Sequence, residues 1–336
     1  MKKIKLAIVG TGLAALELHG PVLRRLTDRF VVVAVCSRNL ENAHAFAASL
    51  AIGPIIYTDF EALLRNDQVE AIDIAVPIHL TCTMALAAVQ SGKHVFAEKP
   101  IADNVLAAER LIEAARQAKV VLMVGENFRY QARFHAARQL VQSGIVGTPL
   151  LYRLNDLHQL SPNHHVAKTR WRQKANHQGG YLLDGGVHIV AGMRVMVAST
   201  VQRVHGLVHS FNPGLLGGQA DTLLMQLVFD NGMIGQLALG YGVVDRDTGH
   251  PKIYGDEGTL TLFQDRIEVW PTQATKPIHT TPLLDQDSGF WEEFLDFYAA
   301  IADGTPPRST PEDAVADIQV ILAGLASAAS GKVIDL

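Results

Sequence analysis

The chain has 336 residues, more than one hydrophobic core usually serves, so its length predicts two domains. Hydrophobic residues make up 48% and charged residues 18% of the chain, as in ordinary soluble globular proteins. The formal net charge of -4, with no block of basic residues, argues against a protein that binds nucleic acid or a membrane surface.

The cysteines and the N-terminal segment bear on where the protein works. Cys36 and Cys82 fall in apolar segments typical of buried elements, so we interpret both as core residues rather than as a disulfide or metal-binding pair. The first apolar run is a poor signal peptide, because Lys5 interrupts it and Gly10 follows it at once. No stretch reaches about 18 uninterrupted apolar residues, the length that spans a membrane. We therefore expect a cytoplasmic protein.

A glycine-rich turn follows the first predicted strand, Ile4–Val9, and leads into a helix with an apolar stripe that includes Leu16. The turn has the G-x-G-x-x-A form of the dinucleotide-binding fingerprint, in the required strand–turn–helix context. Its two glycines permit a tight turn and a close approach of the backbone to pyrophosphate, which meets the helix N-terminus. This favours nucleotide binding over an ordinary turn, with contacts from Gly10, Thr11, Gly12 and Leu13.

The end of the second predicted strand, Phe30–Cys36, bears on the choice of cofactor. An acidic residue there would accept from the ribose 2′-hydroxyl of NAD, but this chain has Ser37 and Arg38. A nearby arginine suits a 2′-phosphate, so we predict NADP(H) over NAD(H). The alternative is a solvated loop arginine.

Strands and helices alternate regularly up to residue 125. The pattern predicts further strands over 55–57, 71–76, 95–97 and 120–124, with helices over 40–50, 81–91 and 105–118. This alternation predicts a doubly wound parallel sheet of the Rossmann type.

Ligands of such open sheets bind outside the carboxyl ends of the strands. The apolar run over 95–97 stops abruptly at Glu98 and Lys99, which places Lys99 at the mouth of the predicted cofactor cleft. Val76 and Pro77 end the preceding strand, and we expect them beside the nicotinamide half of the same cleft.

These motifs resemble those of the Gfo/Idh/MocA oxidoreductases, a family named after glucose–fructose oxidoreductase, inositol dehydrogenase and a rhizopine-catabolism protein. The resemblance runs essentially from end to end and is carried by Gly10–Gly12, Ala75–Pro77, Gly92–Pro100 and Gly125–Tyr130. It implies that Lys99 sits between nicotinamide and substrate, and that Asn127 lines the same pocket. One departure is Thr81, where the family commonly has a histidine; His79 lies nearby, and we group it with Glu98 as a cofactor-side candidate.

After residue 125 the pattern changes to one helix followed by long strands and turns, so we divide the chain into domains 1–125 and 126–336. Asp230–Met233 reads Asp-Asn-Gly-Met between two apolar runs, which predicts a hairpin. An aromatic stripe over 290–301 predicts a packed helix. The resemblance implies an α/β domain whose large, mostly antiparallel open sheet builds a homodimer or homotetramer.

Asp184 and His188 are four residues apart in an otherwise apolar segment, so a helix would place them one turn apart on one face. A buried helix accepts a carboxylate and an imidazole only if they are paired or used. The alternative is a structural Asp–His pair. The family's D-x-G-x-H pattern matches these two residues, and we predict that they are catalytic together with Lys99. Candidate substrate contacts are Asn127, Arg129, Tyr130, Trp171 and Arg172.

The leading hypothesis is an NAD(P)-dependent dehydrogenase or reductase that acts on the hydroxyl- or carbonyl-bearing carbon of a sugar or polyol. Two alternatives stay open: a redox-assisted glycosidase with the same cofactor, and a non-catalytic nucleotide-sensing regulatory protein. A zinc site is a further candidate, but the spacing matches no standard ligand pattern, so we predict no metal. The residues that suggested it are Asp156, His158, His164, His165, His177 and His188.

Overall fold

The computed structural model describes residues 2–50, 53–245, 249–280 and 288–336. The chain divides into two compact units, the first of Met1–Tyr130 with Asp287–Val315 and the second of Gln131–Gln286 with Ala316–Leu336. The units do not follow the single cut after residue 125 that the sequence predicts, because the chain returns to the first unit after completing most of the second.

Six strands of the first unit form one parallel sheet. In chain order they are β1 (Ile4–Val9), β2 (Phe30–Cys36), β3 (Ile55–Tyr57), β4 (Ala71–Ile74), β5 (His94–Glu98) and β6 (Leu122–Gly125). Their spatial order is β3-β2-β1-β4-β5-β6, so the chain winds outward from β1 first to one side and then to the other. The predicted doubly wound parallel sheet is confirmed.

Among the described residues, five α-helices lie between these strands, and three of them begin at a side-chain cap. They are α1 (Gly20–Arg25), α2 (Leu40–Ser49), α3 (Phe60–Leu64), α4 (Ile78–Gln90) and α5 (Val105–Ala118). Asn39, Asp59 and Asn104 each accept a hydrogen bond from a backbone N–H of the following turn. The predicted start of α4 at residue 81 is wrong, because the helix already begins directly after Pro77, whose ring has no N–H to leave unsatisfied.

The segment after the glycine turn opens with a π-helical turn, Ala14–His19, before α1. The Gly20 N–H bonds to the carbonyl of Ala15, five residues back, which widens the helix at this point. The wider turn changes which side chains face the sheet. His19 is fully buried, whereas Leu16 is 44% exposed and does not belong to the apolar stripe that the sequence predicts.

Nine strands of the second unit form a second sheet in the order β14-β13-β12-β11-β7-β10-β9-β8-β15. They are β7 (Pro149–Leu157), β8 (Val201–His209), β9 (Thr222–Phe229), β10 (Ile234–Gly240), β11 (Lys252–Gly255), β12 (Gly258–Leu262), β13 (Ile267–Pro271), β14 (Ile278–Thr280) and β15 (Ile334–Asp335). Among these described strands, β7 and β10 pair in parallel and all other neighbours are antiparallel. The predicted open sheet and the hairpin between β9 and β10 are confirmed.

The two faces of this second sheet differ. Helices α6 (Ala132–Gln142) and α8 (Gly180–Val197) belong to the same unit, as does the short α7 (Arg170–Gln173). Gly186 of α8 approaches Leu239 of β10 so closely that a methyl group at Gly186 would need the leucine to move. The opposite face carries a cross-strand row that includes Ile234, 54% exposed, and Trp270, 45% exposed. In register the row runs Val228, Ile234, Leu151, Tyr254, Thr259 and Trp270.

The chain returns to the first unit as α9 (Phe290–Ala302), and the predicted aromatic stripe packs there. Phe294 stacks on Phe96 of β5 at a centroid distance of 4.6 Å, and Phe297 stacks on Phe30 of β2 at 6.4 Å. All four rings are buried. Aromatic side chains bury large apolar areas, and this explains why 288–315 packs with the N-terminal sheet although it lies far along the chain.

α10 (Pro311–Ser330) begins in the first unit and continues in the second. Within the described residues it is the one helix long and apolar enough to cross a membrane, and half of its most apolar stretch is buried inside the protein. Core helices of soluble proteins pass the same test. Asp317 of α10 accepts a hydrogen bond from Arg194 of α8 at 2.8 Å, which is typical of a helix packed in a protein core.

Candidate active site

The glycine turn has the backbone geometry that a bound dinucleotide requires. Gly10 has φ = 96°, in the left-handed region, and a methyl group there would collide with the carbonyl of Ala75. At Gly12, by contrast, a methyl group would meet no protein atom within 4 Å. The space over Gly12 therefore suits the close approach of a pyrophosphate group to the backbone at the start of a helix.

The end of β2 lies beside this turn. The hydroxyl of Thr11 donates to Oγ of Ser37 at 3.1 Å, and the backbone N–H of Asn39 donates to the same oxygen at 3.3 Å. Arg38 is exposed and makes no hydrogen bond or ion pair with any residue that the structure describes. The adenosine end of the predicted cleft thus presents the hydroxyl of Ser37 and the guanidinium of Arg38. Neither position carries the acidic residue that would favour NAD.

The other predicted cofactor residues follow the neighbouring strand ends. Ile74 of β4 pairs with Val9 of β1 and with Ala97 of β5, so these three strands end at one level of the sheet. Half-buried Val76 and Pro77 follow β4, and His79 is exposed in the first turn of α4. Half-buried Lys99 follows β5 directly, and its peptide bond to Pro100 is cis.

Asn127 and Arg129, predicted from the resemblance, are buried in the first unit. The Asn127 amide donates to the carbonyl of Ser288 at 2.6 Å. The guanidinium of Arg129 lies 3.7 Å from the carboxylate of Asp313 and donates to the backbone carbonyl of Asp313 at 3.3 Å. Both side chains thus hold the segment 288–315 as well as being candidate ligand contacts.

Tyr130 is also buried, and its hydroxyl has partners within the first unit. The hydroxyl donates to Asp296 at 2.7 Å and accepts from the Ser309 N–H at 3.2 Å. Burial raises the pKa of this phenol above its ordinary value, and the nearby charge of Asp296 and the hydrogen bond to it raise the pKa further. Tyr130 therefore stays neutral at physiological pH.

In the second unit, α8 carries Asp184 and His188 one turn apart, as the sequence predicts. Asp184 is 3% exposed, and Nε of Arg172 donates to it at 2.6 Å. His188 is half-buried. The guanidinium of Arg172 also lies over the ring of Trp171, with its central carbon 4.1 Å from the ring centroid. Arg172, a predicted substrate contact, thus bonds to the predicted catalytic carboxylate, and Trp171, another predicted contact, packs against Arg172.

The structure adds Tyr241, which sequence patterns did not identify, to the residues around α8. Tyr241 packs edge-on against Tyr181 at 4.6 Å and against His158 at 5.0 Å, and its hydroxyl would collide with a methyl group at Gly185. Burial raises the pKa of Asp156 above its ordinary value, although His158, 3.8 Å away, lowers it. The available signal was weak, since Tyr241 merely follows a strand that ends in Gly240.

The histidine-rich loop, residues 156–178, carries most of the residues that suggested a zinc site. Within the residues that the structure describes, no group of three or more His, Cys, Asp or Glu side chains is arranged to hold an ion. His164 and His165 stack on each other at 4.4 Å and are exposed. The two cysteines are free thiols, and burial raises the pKa of each to about 11, with Cys36 buried and Cys82 half-buried.

Comparison with known proteins agrees with this geometry. Residues 4–126 match the model of the oxidoreductase family with an NAD-binding Rossmann fold, and residues 134–261 match that of the GFO/IDH/MocA C-terminal domain. The 1,5-anhydro-D-fructose reductase of Ensifer adhaerens is 27% identical over 91% of this chain and 91% of that protein. The dTDP-3,4-didehydro-2,6-dideoxy-alpha-D-glucose 3-reductase of Streptomyces violaceoruber is 31% identical over 71% of this chain and 69% of that protein.

A solved structure covers nearly the whole chain. The crystal structure of an oxidoreductase from Thermotoga maritima superposes with a TM-score of 0.92 and 30% identity, covering 99% of this chain and 98% of that one. The fold and the glycine turn define a nicotinamide-dependent oxidoreductase with a cofactor-binding and a second, sheet-rich part. The chain belongs to the Gfo/Idh/MocA family, which confirms the resemblance seen in its sequence.

The pair formed by Arg172 and Asp184 can be tested by stability. We expect Arg172→Met to lower the free energy of unfolding by about 3 kcal/mol, because the buried carboxylate loses its cationic partner. Asp184→Asn, added to the Arg172→Met variant, should recover most of the lost free energy of unfolding, because no unpaired carboxylate then remains. Arg170→Met is the matched control, since Arg170 is an exposed residue of the same helix. Equal urea-unfolding midpoints for the two arginine variants would contradict this role.

Proposed function

We propose that this chain catalyses reversible hydride transfer between NADP(H), in preference to NAD(H), and the hydroxyl- or carbonyl-bearing carbon of a sugar, polyol or related small molecule. The observation that carries the proposal is on α8, where Asp184 is held by Arg172 and His188 lies one turn away. Both relatives described above are named for reductions of sugar-like molecules, which supports this substrate class.

The cofactor would be held along the strand ends of the first unit and, when bound, would supply or accept the hydride. Its pyrophosphate would be held by Gly10, Thr11, Gly12 and Leu13. Its ribose phosphate would be held by Ser37 and Arg38. The nicotinamide side is formed by Val76, Pro77, His79, Glu98, Lys99 and Asn127.

Proton transfer falls to the side chains. When an alcohol is oxidised, its hydroxyl proton must leave, and His188 takes it as a general base. Asp184 favours the positive charge that His188 then gains. Lys99 stabilises negative charge on the reacting oxygen and is the second group able to take the proton. Substrate orientation falls to Asn127, Arg129, Tyr130, Trp171 and Arg172.

Kinetics of two variants test this assignment. Lys99→Ala and His188→Ala should each lower kcat at least about a hundredfold, the usual contribution of a general base. The assay follows nicotinamide absorbance with sugars, inositols and dihydrodiols as substrates. Full activity in both variants would refute the assignment.

The same assays distinguish the two alternative functions. Release of hydrolysed sugar from glycosides, without net change in the cofactor, would indicate the redox-assisted glycosidase. Cofactor binding without any turnover would indicate a sensor.

The cofactor preference rests on exposed Arg38. Arg38→Ala should raise the KM for NADP⁺ by about tenfold or more, the worth of a charge-assisted hydrogen bond, and leave the KM for NAD⁺ within about twofold. Arg110→Ala, at an exposed position on α5, is the control. A wild-type protein that prefers NAD(H) would end this part of the proposal.

We further propose that the protein is a cytoplasmic homodimer or homotetramer, assembled through the open face of the second sheet. The exposed apolar row that contains Ile234 and Trp270 supports an interface between copies of the chain. Light scattering should give the mass of two or four chains. Ile234→Lys should shift the population toward monomers, whereas Leu106→Lys, equally exposed on α5, should not. A monomeric wild-type protein would overturn the proposal.

A further inference from the structure

A fully buried histidine, His19, bonds to two carboxylates on different strands. Its Nδ1 lies 2.9 and 3.0 Å from the two carboxylate oxygens of Asp73 in β4. Its Nε2 lies 2.9 Å from Oε1 of Glu98 in β5. An imidazolium donates from both ring nitrogens, and a carboxylate oxygen accepts, so this arrangement suits a protonated His19 between Asp73 and Glu98.

The surroundings of His19 exclude water. Phe96 and Phe294 pack edge-on against its ring, at centroid distances of 5.6 and 5.3 Å. Burial alone would lower the pKa of His19, but the charges of Asp73 and Glu98 and their hydrogen bonds outweigh it, and the pKa is raised well above its ordinary value. This rise in pKa favours the imidazolium form of His19.

One further acid from α9 faces this group. Glu293 is fully buried, and neither of its carboxyl oxygens has a hydrogen-bond partner within the described residues. Burial and the charge of Glu98 raise the pKa of Glu293 well above its ordinary value; His19 lowers it, and Glu126 and Asp73 raise it further. These influences favour the neutral form of Glu293, while Asp73 and Glu98 are the two carboxylates bonded to His19.

The position of His19 in the fold shows which segments it joins. It ends the π-helical turn that follows the glycine turn, Asp73 is the last residue but one of β4, and Glu98 is the last residue of β5. One side chain thus joins three of the segments that carry predicted cofactor residues, namely the one after the glycine turn, β4 and β5. Lys99 comes directly after Glu98, at the point where the strand and its regular backbone pairing end.

We propose that His19 is a positioning residue that acts through Glu98 to hold Lys99 at the end of β5. This role rests on the function proposed above for Lys99. Side chains alternate along a strand, so Glu98, the last residue of β5, shares the face of Phe96. Anchoring the Glu98 carboxylate therefore fixes the backbone from which Lys99 projects, without contact between His19 and the reacting atoms.

Hydrogen exchange tests the anchor independently of catalysis. In His19→Gln, the backbone amides of Lys99 and Ile101 should exchange at least about tenfold faster than in the wild-type protein, because local opening at the strand end becomes easier. Glu98→Gln, which keeps the size of the side chain, is the second variant and should show the same change. Phe297→Leu is the matched control: it weakens the same core and should lower the Tm without changing exchange at these two amides.

Kinetics then test whether His19 acts through Glu98. His19→Gln should lower kcat about tenfold or more, with the substrate KM within about threefold, and should have no further effect in a Glu98→Gln background. Phe297→Leu should keep the wild-type kcat. Unchanged exchange at Lys99, or kcat losses that multiply in the double variant, would overturn the inference. A wild-type protein inactive on every sugar would instead refute the proposed reaction, since the exchange result does not depend on turnover.

Discussion

Ionised carboxylates in an apolar interior need partners, and this requirement organises the chemistry of both units. In the first unit, Asp73 and Glu98 lie inside an aromatic core and are both bonded to His19. In the second unit, Asp184 lies on an apolar helix and is bonded to Arg172. The bonds of His19 join residues 54 and 79 apart in sequence, and the Arg172–Asp184 bond joins residues 12 apart. Glu98 directly precedes Lys99, and Asp184 lies one turn from His188.

The parallel sheet imposes a second constraint on the same residues. β1, β4 and β5 end at one level, and the close approach of Gly10 to the carbonyl of Ala75 leaves no room for a side chain between them. The glycine turn, the end of β4 and Lys99 therefore share one edge of the sheet. Family membership agrees with this arrangement, since the matched family is defined by an NAD-binding Rossmann fold and a separate C-terminal domain.

Much of the fold follows from local patterns. Regular alternation of apolar strands and amphipathic helices indicates the doubly wound sheet, and the Asp-Asn-Gly turn indicates the hairpin between β9 and β10. These signals are local, because periodicity and turn chemistry act over a few residues. The return of α9 to the first unit is not local. Its aromatic stripe indicates a packed helix, but Phe294 stacks on Phe96, 198 residues earlier, and Phe297 stacks on Phe30, 267 residues earlier.

The sequence by itself determined the family, the glycine turn, the place of Lys99 at a strand end and the spacing of Asp184 and His188 along one helix. Only the tertiary structure decided which groups neutralise the buried acids. The π-helical turn rotates His19 inward and leaves Leu16 exposed, which a regular helical period cannot express. Asp73, set in an apolar strand, signals that a partner must exist. Its identity depends on the folded packing of helix against sheet, because residues that meet there share no local pattern.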